Sequence, residues 1–352
     1  MSLYDEYLKR CPDLIACLEN ARASGRMAHS FLIHAQDYRS RSEFAKVLEQ
    51  ISGCLNPVNG RPDLTCAFCR QIENGSYADL HKISPVGKMY QIRVGDRNNP
   101  EPNTLRDMLD HLGYTAGNHR KFGVIEDADR MGVEAQNALL KTLEEPPPET
   151  TIILATANPA SLLPTTRSRC QQLSLPAGEF SFDFDGQPQV TEALFELCFN
   201  CHNDLCRTEE MVQSLLGVAS ELADSARSQA EEDFAILMKN AAISEDSTLI
   251  KQLESRIADA ASGGYMRKRR SFVACITTFC SQIFMLSQGV ARENLPNAAL
   301  FDRLPLPHAI SPERGAAILK EAEELEYTLN YNVNDELALR TFAANIAMRG
   351  AL

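Results

Sequence analysis

Apolar positions along this chain follow two periods, and the balance between them shifts near residue 190. In the first half, short apolar runs read as strands: His29–His34, Lys121–Glu126, Thr151–Thr156 and Gln171–Leu175. Between them the spacing is helical. Asp13–Ser24 predicts a helix that stops at Gly25, a residue suited to the position just past a helix end. Ser42–Ile51 predicts a second helix. Thr104 opens a third, with Leu105, Met108, Leu109 and Leu112 on one face. Ala135, Ala138, Leu139, Thr142 and Leu143 mark a fourth that ends before Pro146. Strands that alternate with helices predict an α/β domain built on a parallel sheet, with ligands at the strands' carboxyl ends. A cysteine-containing insert, Cys54–Asn74, and an irregular Gly/Asn/Pro-rich stretch, Pro85–Asn103, interrupt this pattern.

The second half reads differently. Residues 177–190 are rich in Gly, Phe, Asp and Pro and read as a linker. Beyond it the period is helical throughout: Ala193–Cys201, Thr208–Leu237, Asp246–Ala261, Arg269–Gln288, Pro312–Leu329 and about Asn334–Ala347. Pro296, Pro305 and Pro307 break the run before the last pair. The predicted organisation is an α/β domain over 1–176, a linker over 177–190 and an all-α domain over 191–352.

Charge and cysteine content narrow the class. The 352 residues carry 35 basic and 47 acidic side chains, a net charge of −12, which disfavours a broad electrostatic grip on nucleic acid. The amino terminus is polar and lacks a signal-peptide pattern, and the longest apolar runs read as too short to span a membrane. The 11 cysteines, unevenly clustered, fit a reducing compartment better than a disulfide scaffold. The expected setting is cytoplasmic, without membrane partners.

The turn after the first strand is the most informative segment for chemistry. Set against G-x-x-x-x-G-K-[ST], Ala35 and Ser40 replace the two glycines, Arg41 replaces the lysine and only Ser42 fits. Such a loop binds phosphate through converging backbone N–H groups, which requires glycine's dihedral freedom and close approach. Asp37 adds negative charge where phosphate would lie. Glu126 and Asp127, ending the next strand, are a candidate Mg²⁺ pair. That ion relies on substrate phosphates, so both carboxylates are expected to be vestigial.

Several segments resemble the bacterial clamp-loader ATPases of the AAA+ class. These are Arg26–Ile33, Val124-Ile125-Glu126-Asp127-Ala128-Asp129-Arg130-Met131, Asn137–Pro147, Leu154-Ala155-Thr156 and Thr165-Thr166-Arg167-Ser168-Arg169-Cys170. The eroded phosphate loop makes the resemblance greatest to the delta-prime type of DNA polymerase III loader subunit. It is strong over about 20–176 and weaker over the tail, where Leu329–Asn334 looks like the family's closing collar helices. It implies an AAA+ P-loop-like domain followed by a helical oligomerisation collar, with the linker replacing most of the family's lid. The Ser168-Arg169-Cys170 segment implies that Arg169 is an arginine finger supplied in trans to a neighbour's ATP, although a lone arginine there would simply pair with a nearby carboxylate. The implied partners are other loader subunits, both ATPase and delta-like, and indirectly the sliding clamp and primer–template DNA. The alternatives are an ATP-hydrolysing motor subunit of the same loader, or a zinc-dependent DNA-binding adaptor.

The family's four-cysteine zinc module is incomplete here. Cys54, Cys66 and Cys69 are candidate ligands, but Ile72 occupies the position read as the fourth, so His81 is the candidate to complete the tetrahedron. The other reading is a degenerate loop of free thiols. Cys198, Cys201, His202 and Cys206 form a second cluster, read mainly as small core residues. Arg267-Lys268-Arg269-Arg270 reads as a solvated helix start.

Overall fold

A computed structural model describes residues 2–87, 89–96, 101–114, 120–176, 182, 184–243, 247–305, 310–329 and 334–348. The chain divides into two compact units, 1–86 with 90–177, and 87–89 with 178–352.

In the first unit, α1 (Leu3–Arg10) is opened by a reciprocal Ser2–Asp5 capping box, and α2 (Pro12–Ala23) follows it. The strands are β1 (Ser30–His34), β2 (Leu80–Ile83), β3 (Lys121–Ile125), β4 (Thr150–Thr156) and β5 (Gln171–Ser174). They form one parallel sheet in the order β2-β3-β4-β1-β5. The connecting helices are α3 (Tyr38–Gly53), α4 (Ala67–Glu73), α5 (Leu105–Gly113), α6 (Val133–Glu144) and the short α7 (Pro164–Arg167). The α/β reading therefore holds, with the strand β2 and the helices α1, α4 and α7 added to it.

Both faces of the sheet are covered, as parallel sheets require. Phe31, Ile33, Phe122, Val124 and Ile153 pack with Phe44, Val47, Leu48 and Ile51 of α3 on one face. Leu32, Ile125, Ile152 and Leu154 pack with Met108, Leu112, Leu139 and Leu143 on the other. Gly123 of β3 lets α5 pack closely, since a Cβ there would come within 2.8 Å of the Leu112 side-chain end and force it to shift.

Glu49, on the covered face of α3, is buried with one carboxylate oxygen lacking a hydrogen-bond partner. Burial pushes its pKa up to about 8, with Lys82 and Lys46 pulling the other way. Its folded pKa lies above the unfolded value, so the folded state binds more protons between the two, and this site's contribution falls as pH rises from about 4.5 toward 8. Glu49→Gln is expected to be more stable than the parent at pH 8.5 by on the order of 1–3 kcal/mol and equal to it near pH 4. Urea unfolding at the two pH values checks this; equal stabilities at both would refute it.

The second unit is helical: α8 (Gln187–Phe199), α9 (Leu205–Ile243), α10 (Ser247–Ser287), α11 (Pro312–Leu329) and α12 (Asp335–Met348). Phe182 and Phe184 are buried in this unit's core, so the described part of the 177–190 segment is packed chain. Residues 177–181 and 183 of that segment lie outside the described residues, as do Pro307 and 330–333 of the closing segment.

The two helices read as Asp246–Ala261 and Arg269–Gln288 are one helix of 41 residues. Gly264 lies within it, facing Ala226 of α9, and one glycine costs a helix only about 1 kcal/mol. Arg267–Arg270 is consequently mid-helix, which corrects its reading as a solvated start. Arg269 is buried; it donates to the Leu329 carbonyl at 3.1 Å and pairs with Asp335 at 2.5 Å. Within Leu249–Ser287 a window reaches a mean hydropathy of 1.2. Its apolar residues Phe272, Ile276, Phe279 and Ile283 are buried in the unit's own core.

Candidate functional site

The segment read as a vestigial phosphate loop, Ala35–Ser42, lies at the carboxyl end of β1. Only Ala35, Gln36 and Asp37 separate β1 from α3, because the helix starts at Tyr38 rather than Ser42. Asp37 causes the early start: its carboxylate caps α3 by accepting from the Ser40 amide at 2.6 Å. The chain's own carboxylate thus occupies the anion position that a helix amino terminus offers. The Ser40 side chain, at the second glycine position, is held by Arg10 of α1 at 2.8 Å, and the Ser40 carbonyl accepts from Tyr7 at 3.1 Å.

Arg41 stands where the lysine would, and it points inward. It is buried, donates to the Ala35 and Gln36 carbonyls at 2.7 and 2.8 Å, and pairs with Asp127 at 2.5 Å. Asp127, itself buried with a left-handed φ of 44°, also accepts from the Tyr90 hydroxyl at 2.5 Å. Glu126 accepts from Tyr38 at 2.7 Å and pairs with Lys82. Every group that would hold nucleotide or Mg²⁺ is therefore engaged by another side chain of the same unit. Of these partners, Arg10, Tyr38, Lys82 and Tyr90 were not singled out in the sequence. Ser42, the one residue matching the loop pattern, is within 3.4 Å of the Lys82 ammonium.

Arg169 lies at the opposite end of the sheet. It precedes β5, whose Gln171 is in register with Phe31, and its carbonyl accepts from Ser30, the first residue of β1, at 2.7 Å. Its guanidinium pairs with Glu144 through Nε at 2.7 Å and through Nη2, and donates from Nη1 to the Thr165 carbonyl at 2.8 Å. The pairing expected of a lone arginine is therefore present. The side chain nevertheless remains 32% exposed. Ser168 caps the short α7 segment, its hydroxyl donating to Thr165 at 3.2 Å.

Residues 11–179 match the family model described as "DNA polymerase III, delta subunit". The match covers the front unit and ends where the helical one begins. The delta' subunit of Bacillus subtilis DNA polymerase III is 32% identical over 165 residues, covering 46% of each chain. The tau subunit of Escherichia coli is also 32% identical over 165 residues, covering 47% of this chain and 24% of that one. The chain thus spans less than half the length of these relatives. A solved DNA polymerase III gamma subunit-related protein from Thermotoga maritima aligns over 95% of this chain and 99% of its own, at 17% identity and a TM-score of 0.40.

In the front unit the cysteine insert forms a four-donor cluster. Cys54, Asp63, Cys66 and Cys69 place their ligand atoms within 4.8 Å of one another. Neither Ile72 nor His81 belongs to it. Ile72 is buried in the core, and His81, on β2, stacks on His111 with ring centroids 4.3 Å apart. Asp63 was missed, yet its signal is in the chain: positions 63, 66 and 69 fall at intervals of three.

The donor set suits zinc, whose tetrahedral sites take thiolates at about 2.3 Å and carboxylate oxygens at about 2.0–2.2 Å. Backbone amides already support the sulfurs, Asp63 N–H to Cys54 at 3.3 Å and Cys69 N–H to Cys66 at 3.5 Å. Partial burial pushes the Asp63 carboxyl up, but hydrogen bonds from the Cys66 amide and from the Cys66, Cys54 and Asn56 side chains hold it below the usual range. Cys198 and Cys201 are fully buried in the helical core, while Cys206 is exposed. Burial pushes the Cys198 thiol up to about 12, consistent with an inert core residue.

Proposed function

We propose that this chain is a non-hydrolysing subunit of a DNA polymerase III clamp loader that supplies Arg169 in trans to the ATP of a neighbouring subunit. The observation that carries this reading is the disposition of groups about one sheet. The chain's own nucleotide position, at the carboxyl end of β1, is filled by Asp37, Arg41, Tyr38 and Tyr90. Arg169 sits at the amino end of the same strand. The five residues of β1 span about 13 Å, which separates Arg169 from its own loop and leaves it for a subunit that abuts that edge. Its planar, permanently charged fork suits the charge that builds on a transferring phosphoryl group.

The assembly partners would be ATPase and delta-like loader subunits, with the helical region 191–352 serving as the oligomerisation collar. The sliding clamp and primer–template DNA would be met through the assembly, in the cytoplasm. The rival is an ATP-hydrolysing motor subunit, favoured by equal identity to the tau relative. The inward-turned Arg41 counts against it. Calorimetric titration of the isolated chain with ATP and Mg²⁺ is expected to give no binding heat. Stoichiometric low-micromolar binding would favour the motor reading.

Cys54, Cys66 and Cys69, completed by Asp63, would hold a structural zinc that pins the insert to α3 and α4. A Cys₃Asp site predicts one zinc per chain by elemental analysis of protein purified without chelator. Cys66→Ser and Asp63→Ala should each abolish it, since three ligands hold the metal poorly. Zinc retained in Cys66→Ser would exclude this site and redirect attention to Cys198–Cys206. The adaptor alternative finds little support in a chain with a net charge of −12.

A further inference from the structure

We infer that Glu144 is the positioning residue for Arg169, holding the guanidinium so that its outer edge is presented to a triphosphate on a neighbouring subunit. This rests on the finger reading above and adds the residue that makes the finger rigid.

Both partners are referenced to the same point of the sheet. Glu144 is the last residue of α6, and the preceding carbonyl, that of Leu143, is bonded by the His29 ring at 2.9 Å. Arg169 is tied to the adjoining Ser30 through its own carbonyl at 2.7 Å. The end of α6 and the backbone of Arg169 are thus fixed to consecutive residues at the start of β1. Pro146, two residues beyond Glu144, keeps the helix from extending and sets where the carboxylate sits.

The hydrogen bonds show which edge of the fork is used. A guanidinium has five N–H groups. Here Nε and Nη2 are directed at Glu144 Oε1, and Nη1 at the Thr165 carbonyl. Two N–H groups remain, one on each terminal nitrogen, which is the pair that grips a phosphate in a bidentate contact. Three N–H groups are anchored within the unit, and the two left over belong to a side chain that is 32% exposed.

Stability gives no sufficient reason for this arrangement. Glu144 is 50% exposed and Arg169 is 32% exposed, and ion pairs this accessible contribute little to folding. What the pair does supply is order. An unpaired arginine on a surface samples many rotamers, and a catalytic contact misplaced by about 1 Å can cost up to a hundredfold in rate. Glu145, the next residue, caps α6 through its backbone and serves as a control carboxylate.

The test uses the full chain in a loader reconstituted with its ATPase subunits, comparing Glu144→Ala, Glu144→Gln, Glu145→Ala, Arg169→Ala and the Glu144→Ala/Arg169→Ala double variant. Glu144→Ala is expected to lower kcat for ATP roughly three- to tenfold with KM unchanged and the melting temperature of the chain unchanged. Glu144→Gln should recover part of the loss, because its amide oxygen still accepts from Nε. Glu145→Ala should match the parent, and the double variant should be no slower than Arg169→Ala alone.

If Arg169→Ala is slow but Glu144→Ala runs at the parent rate, the finger stands and the positioning role is overturned. A faster Glu144→Ala loader would mean that the pair withholds the finger, which also overturns it. If Arg169→Ala itself has no effect, the finger reading fails and this inference falls with it.

Discussion

Arg169→Ala is expected to reduce ATP turnover by the assembled loader by on the order of 10- to 100-fold while leaving assembly intact. The residue's backbone is held by Ser30 and by the α7 turn, neither of which the substitution disturbs. Its side chain contributes one partly exposed ion pair, worth about 0–1 kcal/mol of stability. Its charge, in contrast, would fall on a neighbour's transferring phosphoryl group. Fingers of this kind account for roughly 10³–10⁵ in rate in GTPases, and the smaller loss expected here reflects other sites in the ring that keep their own arginines. Arg169→Lys should also fail, because a point charge does not reproduce the planar fork. Arg167→Ala, two residues away, is the control. Steady-state ATPase assays on the reconstituted loader decide the matter: an unmodified rate for Arg169→Ala would leave only the ion pair with Glu144.

The second large effect concerns folding. Arg41→Ala is expected to destabilise the front unit by about 3–5 kcal/mol, because it strands the buried Asp127 carboxylate and leaves the Ala35 and Gln36 carbonyls without their donor. Asp127→Ala should cost a similar amount by stranding the arginine. The double variant Arg41→Met/Asp127→Leu should lose far less than the sum, since neither charge is then left alone. Chemical denaturation of the full chain measures this. A loss below about 1 kcal/mol for Arg41→Ala would show that the pair does not hold the loop shut. The same pair makes ATP binding hard to restore: lysine at 41 would have to leave Asp127 before it reached a phosphate.

The residues that were legible in the sequence are those whose role is local or periodic. Phe31, Leu32 and Ile33 announce β1 because a strand buried on both faces is continuously apolar, and β3 and β4 are readable for the same reason. β2 escaped because its two central residues are His81 and Lys82, polar side chains tolerated on an edge strand. The break expected between Ala261 and Arg269 is absent: the helix runs through Gly264, where a Cβ would stand in ordinary contact with Ala226, 3.4 Å away. The departure from the glycine pattern is legible at Ala35 and Ser40. The contacts made there are not, because Arg41 depends on Asp127, 86 residues away, and Ser40 on Arg10, 30 residues away. Asp63 was passed over because aspartate was not weighed as a ligand among cysteines.

The central claim is that this chain takes no nucleotide of its own and completes the site of another subunit. A structure of the assembled loader with ADP and aluminium fluoride, a mimic of the transferring phosphoryl group, tests both halves at once. The expected result is no nucleotide at Ala35–Ser42, Arg41 still paired with Asp127, and the Arg169 guanidinium within hydrogen-bond distance of the fluoride on the adjacent subunit. Nucleotide bound at Ala35–Ser42, or Arg169 directed away from every bound nucleotide, would contradict it.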